Sequence, residues 1–495
     1  MVGRMETVRK LLALLTILGV LAPASADIRF EVVIDPLVYD KPYTGRVWVA
    51  LNLRGSRNPP HVVMDYWANV QPLFAIDVEN LEPGETLVLD GTNAMGHPVG
   101  IDEIPPGQYT AQAIIKLNPT ARAPGQGEGD LLSLVSTFRV SDADVDAVIP
   151  LRLNRPFPAR TVEETDRIKP VTLPSEMLSA FHGFEVEHTA AVLLPEGYHP
   201  DKTYPVVYAI GQFRADELAV NGLVNAPGVS GPDAPEAIWV QLDPQWLTGH
   251  HAFTDSANNG PWGSALMGEL APMIESEFGG NGTRYLLGGG SGGWAAVSLI
   301  MAFPDSFEGA WAHYPDPLDF RAFQGVNLYE DENLYEDEYG SRRPITAVGN
   351  TFLAFFEDFA AREVIYGPGQ QLGSLEAVFS PRGADGKPCP FFDRETGAIY
   401  RETIEAWKQS DLSLQLRERW GEIGDELRGK IRVYAGDQDP YQITEAVRLF
   451  GEVADELGAE FDVQIIEGLG HQFHADGFRA MTETIREGAS EGNEP

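Results

Sequence analysis

The glycine-rich run from Gly288 to Gly293 constrains this chain more than any other stretch. Ser291 stands in Gly289-Gly290-Ser291-Gly292-Gly293, directly after the strand-like Arg284-Tyr285-Leu286-Leu287 and directly before a helix-like stretch over 294–301. A G-x-S-x-G run at a strand-to-helix turn forces a sharp bend. The serine is expected in its strained backbone conformation, with the hydroxyl exposed. Flanking glycines leave room for the neighbouring chain and a ligand. Free N–H groups at the helix start can then hold a developing oxyanion. The same run also fits G-x-G-x-x-G as Gly288, Gly290 and Gly293. A dinucleotide fold puts that pattern after its first strand, with an acidic residue ending the second. Here two strand-like runs, 204–210 and 237–241, already precede it and no ribose-binding acid follows, so the serine reading is preferred.

The first 26 residues have the plan of a secretory signal: Arg4, Arg9 and Lys10, an apolar stretch over 11–21, and Ala24-Ser25-Ala26 as cleavage site. That stretch is too short for a membrane anchor, and no later segment reaches about 18 uninterrupted apolar residues. The expectation is an exported protein, periplasmic or extracellular, without a membrane anchor. A single cysteine, Cys389, rules out an intramolecular disulfide, so the core alone must hold the chain together. The formal charge of −37 repels nucleic acid and anionic surfaces.

Two architectures follow one another along the chain. Short β-rich runs such as 46–51, 86–89 and 108–115, with turns at Pro83-Gly84 and Pro105-Pro106-Gly107, point to an all-β, immunoglobulin-like sandwich over 27–140. A linker is expected over 141–180. From 181 to 490 strands alternate with helices, which predicts a doubly wound, mostly parallel sheet. Apolar residues Leu266, Leu270, Met273, Ile274 and Phe278 recur at helical spacing. An insertion over 321–428 breaks the rhythm and reads as a lid, with Phe352, Phe355, Phe356 and Phe359 as the stripe of a helix ending near Gly367. Within it Asn327 to Glu332 is repeated as Asn333 to Glu338. This is read as a solvated acidic loop rather than a calcium loop.

A serine nucleophile needs a histidine to take its proton and a carboxylate to orient that histidine. In a sheet of this kind they follow the serine in the order acid, then histidine. Asp439, in Gly436-Asp437-Gln438-Asp439, is expected to be the acid, since Asp437 abuts the strand and suits turn N–H groups. Asp316 and Asp319, which follow the strand after the serine, are alternatives. His471, after Gly470, is expected to be the base in preference to His474. Oxyanion donors are expected from the N–H groups of Gln212 and Gly292. The loop over 249–263 follows a strand end, where ligands collect. His251, Asp255, Asn258 and Asn259, with Trp294, are read as a substrate wall, against the alternative of a self-bonded structural loop. Adjacent His250 and His251 suit zinc poorly, and no metal or other cofactor is expected.

These residues resemble the esterase D-like branch of the α/β hydrolases, with its feruloyl, acetylxylan and enterochelin esterases. The likeness rests on 204–211, Gly289 to Gly293, the Asp437-Gln438-Asp439 loop and Gly470-His471, and spans about 180–485. It implies an α/β hydrolase fold and cleavage of a small-molecule or carbohydrate-linked carboxylic ester through an acyl-serine. The long insertion departs from the family's compact pattern. Competing readings are a peptidase of the prolyl-oligopeptidase type, an acyltransferase, and a non-catalytic binding protein on the same fold.

Overall fold

A computed structural model describes residues 27–53, 59–62, 70–121, 123–141, 146–349 and 351–491. The signal-like segment lies outside the described residues. Among the described residues, nine strands between Asp27 and Pro156 form the first unit. Their alternating apolar residues, Phe30, Val32, Val49, Leu51, Phe74 and Leu151 among them, close a core of their own. One hydrogen-bonded ladder runs through all nine and branches at Gly107–Ile115. That strand's first half pairs with Ser136–Val140 and its second half with Leu131–Ser133. The expected boundary at 140 is corrected. Asp146–Pro156 is a full strand, parallel to Asp27–Ile34, and buries Ile149, Leu151 and Leu153 at alternate positions. Pro150 and Pro156 had masked its period-two pattern.

The second unit is an eight-stranded sheet: β1 Ile168–Pro174, β2 Glu187–Leu193, β3 Tyr204–Ile210, β4 Ile238–Leu242, β5 Gly280–Gly289, β6 Gly309–His313, β7 Ile431–Gly436 and β8 Asp462–Ile466, in the order β1-β2-β4-β3-β5-β6-β7-β8. β2 is antiparallel to both β1 and β4, and every pairing from β4 to β8 is parallel. The interval 141–180 is therefore no simple linker, since it also supplies the sheet's edge strand. Both faces are covered, which is why the central strands are apolar throughout. Val206, Tyr208, Val240 and Leu286 point to one side, and Val207, Ala209, Trp239 and Leu287 to the other. The sheet order, right through the reversal between β3 and β4, is that of an α/β hydrolase. Among the described residues no helix is long and apolar enough to cross a membrane.

The insertion divides by role. A hairpin, Pro344–Val348 with Thr351–Phe355, carries Phe352 and Phe355, so these two are not on the helix as expected. Their chain is extended and turns back at Gly349 (φ +56°). α2 Phe356–Tyr366, following α1 Ser291–Ala302, buries Phe356 and Phe359. α3 Gln371–Phe379 comes next, and α4 Leu412–Leu427 then packs between α1 and α5 Thr444–Leu457. α4 thus belongs to the helical layer on the sheet, and the lid-like part ends before it. The acidic repeat makes two successive turns, in which the Asn327 and Asn333 side chains accept the N–H groups of Tyr329 and Tyr335 while Leu328 and Leu334 are buried. Among the described residues no cluster suits a metal ion.

The first unit grips the insertion at the end of α2. Trp48 Nε1 donates to Ile365 O at 2.9 Å, Arg46 Nη1 to Val364 O at 2.5 Å, and Arg362 Nη1 to His97 O at 2.7 Å. Trp48 also packs into the large core shared with the second unit. Trp48→Ala is expected to cost about 3–5 kcal/mol, read as a lower urea midpoint at unchanged slope. Glu363 fastens α2 to α3 by accepting the Leu372 N–H at 2.8 Å, and burial pushes its carboxyl up to about 7. The folded state then binds a proton that the unfolded chain has released. Stability should fall as pH rises from about 4.5 to about 7 and level off above. Glu363→Gln should flatten that part of a stability-against-pH curve and leave the rest unchanged.

Candidate active site

The bend between β5 and α1 is centred one residue earlier than expected. Gly290 has φ +57° and ψ −126°, and Ser291 is the first residue of the helix. Two small residues bracket that apex because backbone passes through the space their side chains would need. A Cβ on Gly288 would lie 1.9 Å from Gly292 O, and one on Gly292 would lie 2.1 Å from Ile210 O. The brackets are therefore Gly288 and Gly292, not Gly289 and Gly293. The expectation of a strained, exposed Ser291 is corrected: its backbone is helical and its residue is buried. A run of glycines satisfies the motif in two registers, and backbone packing selects the one whose central residue has no side chain.

Ser291 Oγ donates to Asp316 Oδ2 at 2.6 Å, and Gln371 Nε2 approaches the same oxygen at 3.4 Å. Asp316 is reached by the loop after β6, in which Tyr314 has φ +36° and the Asp316 N–H donates to Gly290 O at 3.1 Å. Burial raises the Asp316 carboxyl above the ordinary range, against the bond from Ser291 and the charge of His471.

Asp439 and His471 meet across the ends of β7 and β8. His471 Nδ1 lies 2.8 Å from Asp439 Oδ2, and the Asp439 side chain is fully buried. Asp439 Oδ1 also accepts the Tyr441 N–H at 2.9 Å. Asp437 instead accepts the Gly468 N–H at 2.7 Å. His474 is turned away, its ring against Tyr434 and its N–H donated to His313 Nδ1. Asp319 is committed to Arg321 in a bidentate pair.

Gln212, Gly290, Ser291, Asp316, Gln371 and His471 line one cavity of about 240 Å³. The loop after β3 reaches it because Gln212 Cβ comes within 3.0 Å of where a Cβ on Gly290 would stand. With Gly290 at the apex, the N–H after it is that of Ser291. Of the two residues expected to supply oxyanion donors, Gln212 lines this cavity and Gly292 does not, while Ser291 does.

The residues expected to form a substrate wall do not line this cavity; several of their polar groups are bonded to neighbouring structure, while His251 Nε2, Asn258 Oδ1, Asn259 Nδ2 and Trp294 Nε1 are buried without a hydrogen-bond partner. His251 is stacked on Trp262 at 3.7 Å and fully buried. Asp255 receives the N–H and hydroxyl of Ser264. Asn258 donates to Ala377 O and Ser380 O, and Asn259 accepts the Thr248 hydroxyl. Trp294 is buried against Phe379. The loop is thus tied partly by its own side chains and partly by the insertion, and Asp255 lines a separate cavity. The cavity takes its polar wall from residues that sequence reasoning missed, above all Gln371 and Arg214. Arg214 lies two residues after Gln212 and was open to notice. Gln371 arrives through the docking of α3 and carries no local signal. Arg214 Nη2 donates to Gln370 Oε1 at 2.6 Å, which ties the β3 loop to the start of α3.

No family model matches the chain, and no curated protein does. Solved structures similar to it include a ferulic acid esterase, 15% identical over 65% of this chain and 97% of that one, with a TM-score of 0.39. Another is an S-formylglutathione hydrolase from Agrobacterium tumefaciens, at 12% identity, 67% and 96% coverage and a TM-score of 0.37. A dipeptidyl peptidase 4 from Porphyromonas gingivalis is similar over 85% of this chain but only 48% of its own length, at 11% identity and a TM-score of 0.38.

Proposed function

We propose that this chain hydrolyses a carboxylic ester with water activated directly by the His471–Asp439 pair, without an acyl-serine at the bend. The observation that carries this reading is the coexistence of a glycine at the apex with a 2.8 Å His471–Asp439 contact beside it. Asp439 holds the proton on Nδ1 and leaves Nε2 as the acceptor. A water molecule standing where an apex side chain would otherwise project gives its proton to Nε2 as its oxygen attacks the carbonyl. The Ser291 and Gln212 N–H groups stabilise the oxyanion. When the intermediate collapses, His471 returns the proton to the departing alcohol, so acid and alcohol leave and the pair is restored. Asp316, with Gln371 beside it, gives the cavity a hydrogen-bonding wall suited to a polar or carbohydrate-linked ester. No cofactor enters this scheme, and the signal-like start of the chain supports action outside the cytoplasm.

A second reading rests on the 2.6 Å bond from Ser291 to Asp316. There Ser291 is acylated with Asp316 as its base, within the distance such a pair requires. Exposure to a fluorophosphonate separates the two. The wild type and Ser291→Ala should both resist covalent labelling, and Ser291→Ala should keep most of its turnover. Gly290→Ser should gain labelling, since its closest neighbour is the side chain of Gln212 on a loop. Labelling of wild-type Ser291 would falsify the direct-water reading and favour the second.

The base itself is tested by replacement. His471→Ala and Asp439→Asn are each expected to lower kcat on the order of 10⁴-fold, with folding checked by circular dichroism. Asp437→Asn should stay within about tenfold of wild type. Equal losses at Asp437 and Asp439 would show that the loop, not the pair, is what matters.

A further inference from the structure

A second and larger cavity, about 1040 Å³, opens on the far side of Gln212 from the site. Ala219, Leu223, Ala226, Leu287, Phe473 and Phe478 line it, from the segment after β3, β5, the loop after β8 and the C-terminal helix Ala475–Glu491, and Asp233, Arg479, Glu483 and Arg486 add charged groups to the same lining. Three features tie it to the chemistry. Gln212 lines both cavities. The Tyr314 ring forms a wall of the larger one and lies 4.3 Å from the ring of His471. Phe473, two residues beyond His471, stands 42% exposed at its edge, an aromatic face left in water beside the base.

Small residues make the room. Ala219, Gly222 and Ala226 follow one another along one wall, and a Cβ on Gly222 would meet no heavy atom within 4 Å. By contrast, the 240 Å³ cavity has the polar groups of Asp316, Gln371 and Gln212 around it. The larger space carries the longer aliphatic and aromatic lining, with charged groups from Asp233 and the C-terminal helix beside it, and the two spaces meet at Gln212, the oxyanion donor of the proposed reaction. An ester carbonyl held by that donor has its two substituents directed to different surroundings.

We propose that the larger cavity is the binding site for the aliphatic acyl chain of the substrate, with the polar alcohol portion directed to Asp316 and Gln371. This rests on the ester-hydrolase reading, and the experiment separates the two. Burying methylenes against these walls removes apolar surface from water in proportion to their number, so affinity should climb with chain length.

The test uses the full chain and two variants, Gly222→Trp and Ala226→Trp, which add bulk inside the cavity without touching the catalytic groups. Gly421→Trp, on α4 where a Cβ also meets nothing within 4 Å, serves as control. With acetyl, butyryl, octanoyl and dodecanoyl esters of p-nitrophenol, kcat/KM of the wild type should rise with chain length. Both cavity variants should lose on the order of tenfold or more on the dodecanoyl ester and little on the acetyl ester. Independently of catalysis, dodecanoate should displace a fluorescent fatty acid from the wild type and from Gly421→Trp, and the probe should not bind the two cavity variants. Binding lost as expected in a protein that cleaves no ester upholds the site and overturns the reading it rests on. Equal losses on short and long esters, or probe binding unchanged in both cavity variants, overturns the site.

Discussion

The site depends on one backbone contact: the passage of Gly292 against the end of β3. A Cβ at Gly292 would overlap Ile210 O, and one at Gly288 would overlap Gly292 O, so the chain must cross itself with glycine at both places. That crossing fixes Gly290 as the residue with φ +57°, directs the start of α1 at the cavity and brings Gln212 alongside. It also turns Ser291 toward Asp316 rather than leaving it at the apex. A side chain one position away from the apex meets different neighbours, and the chemistry changes with it.

The rest of the cavity is assembled from a distance. The end of α2 is gripped by Trp48 and Arg46 of the first unit, Glu363 fastens α2 to α3, and α3 presents Gln371 to Asp316. The leading β unit is thus part of the scaffold that sets the polar wall, and not an appendage on a flexible tether. The Trp48, Glu363 and Gln371 contacts are buried or partly buried, where hydrogen bonds are electrostatically stronger than in water, while the Arg46 bond to Val364 O is exposed. On this account the polar wall and the larger cavity are built differently. Gln371 of the lid-like insertion joins Asp316 and Arg214 of the sheet loops in the first, and the segment after β3, the sheet and its C-terminal helix supply the second.

Much of this was legible in the residues. The strands from β2 to β8 are apolar runs bounded by turns, and their order along the chain placed Asp439 and His471 at neighbouring strand ends, where they meet at 2.8 Å. Asp437 was separable from Asp439 because a residue abutting a strand finds turn N–H groups first, as Asp437 does with Gly468. Three things were not legible. Glycine carries no side-chain pattern, so a run of them cannot announce which one bends, and only the contacts of Gly288 and Gly292 decide. Prolines at 150 and 156 hid a strand whose partner lies more than a hundred residues earlier. The loop holding His251, Asn258 and Asn259 has the composition of a binding surface, yet partners such as Ser380 and Thr248, distant in sequence or in a neighbouring turn, hold it away from the cavity of Ser291 and His471.

The central claim is that no covalent intermediate forms on this chain, because the residue at the bend is Gly290. Pre-steady-state release of p-nitrophenol from a well-turned-over ester tests it most directly, since an acyl-enzyme that accumulates releases its alcohol in a burst. Deacylation is slowed by choosing a bulky acyl group, so that a burst would be seen if the intermediate existed. The account expects a linear trace from the first turnover, with no adduct on the intact protein quenched at the same times. A burst approaching one equivalent of alcohol per chain, with the matching acyl mass on Ser291, would contradict it.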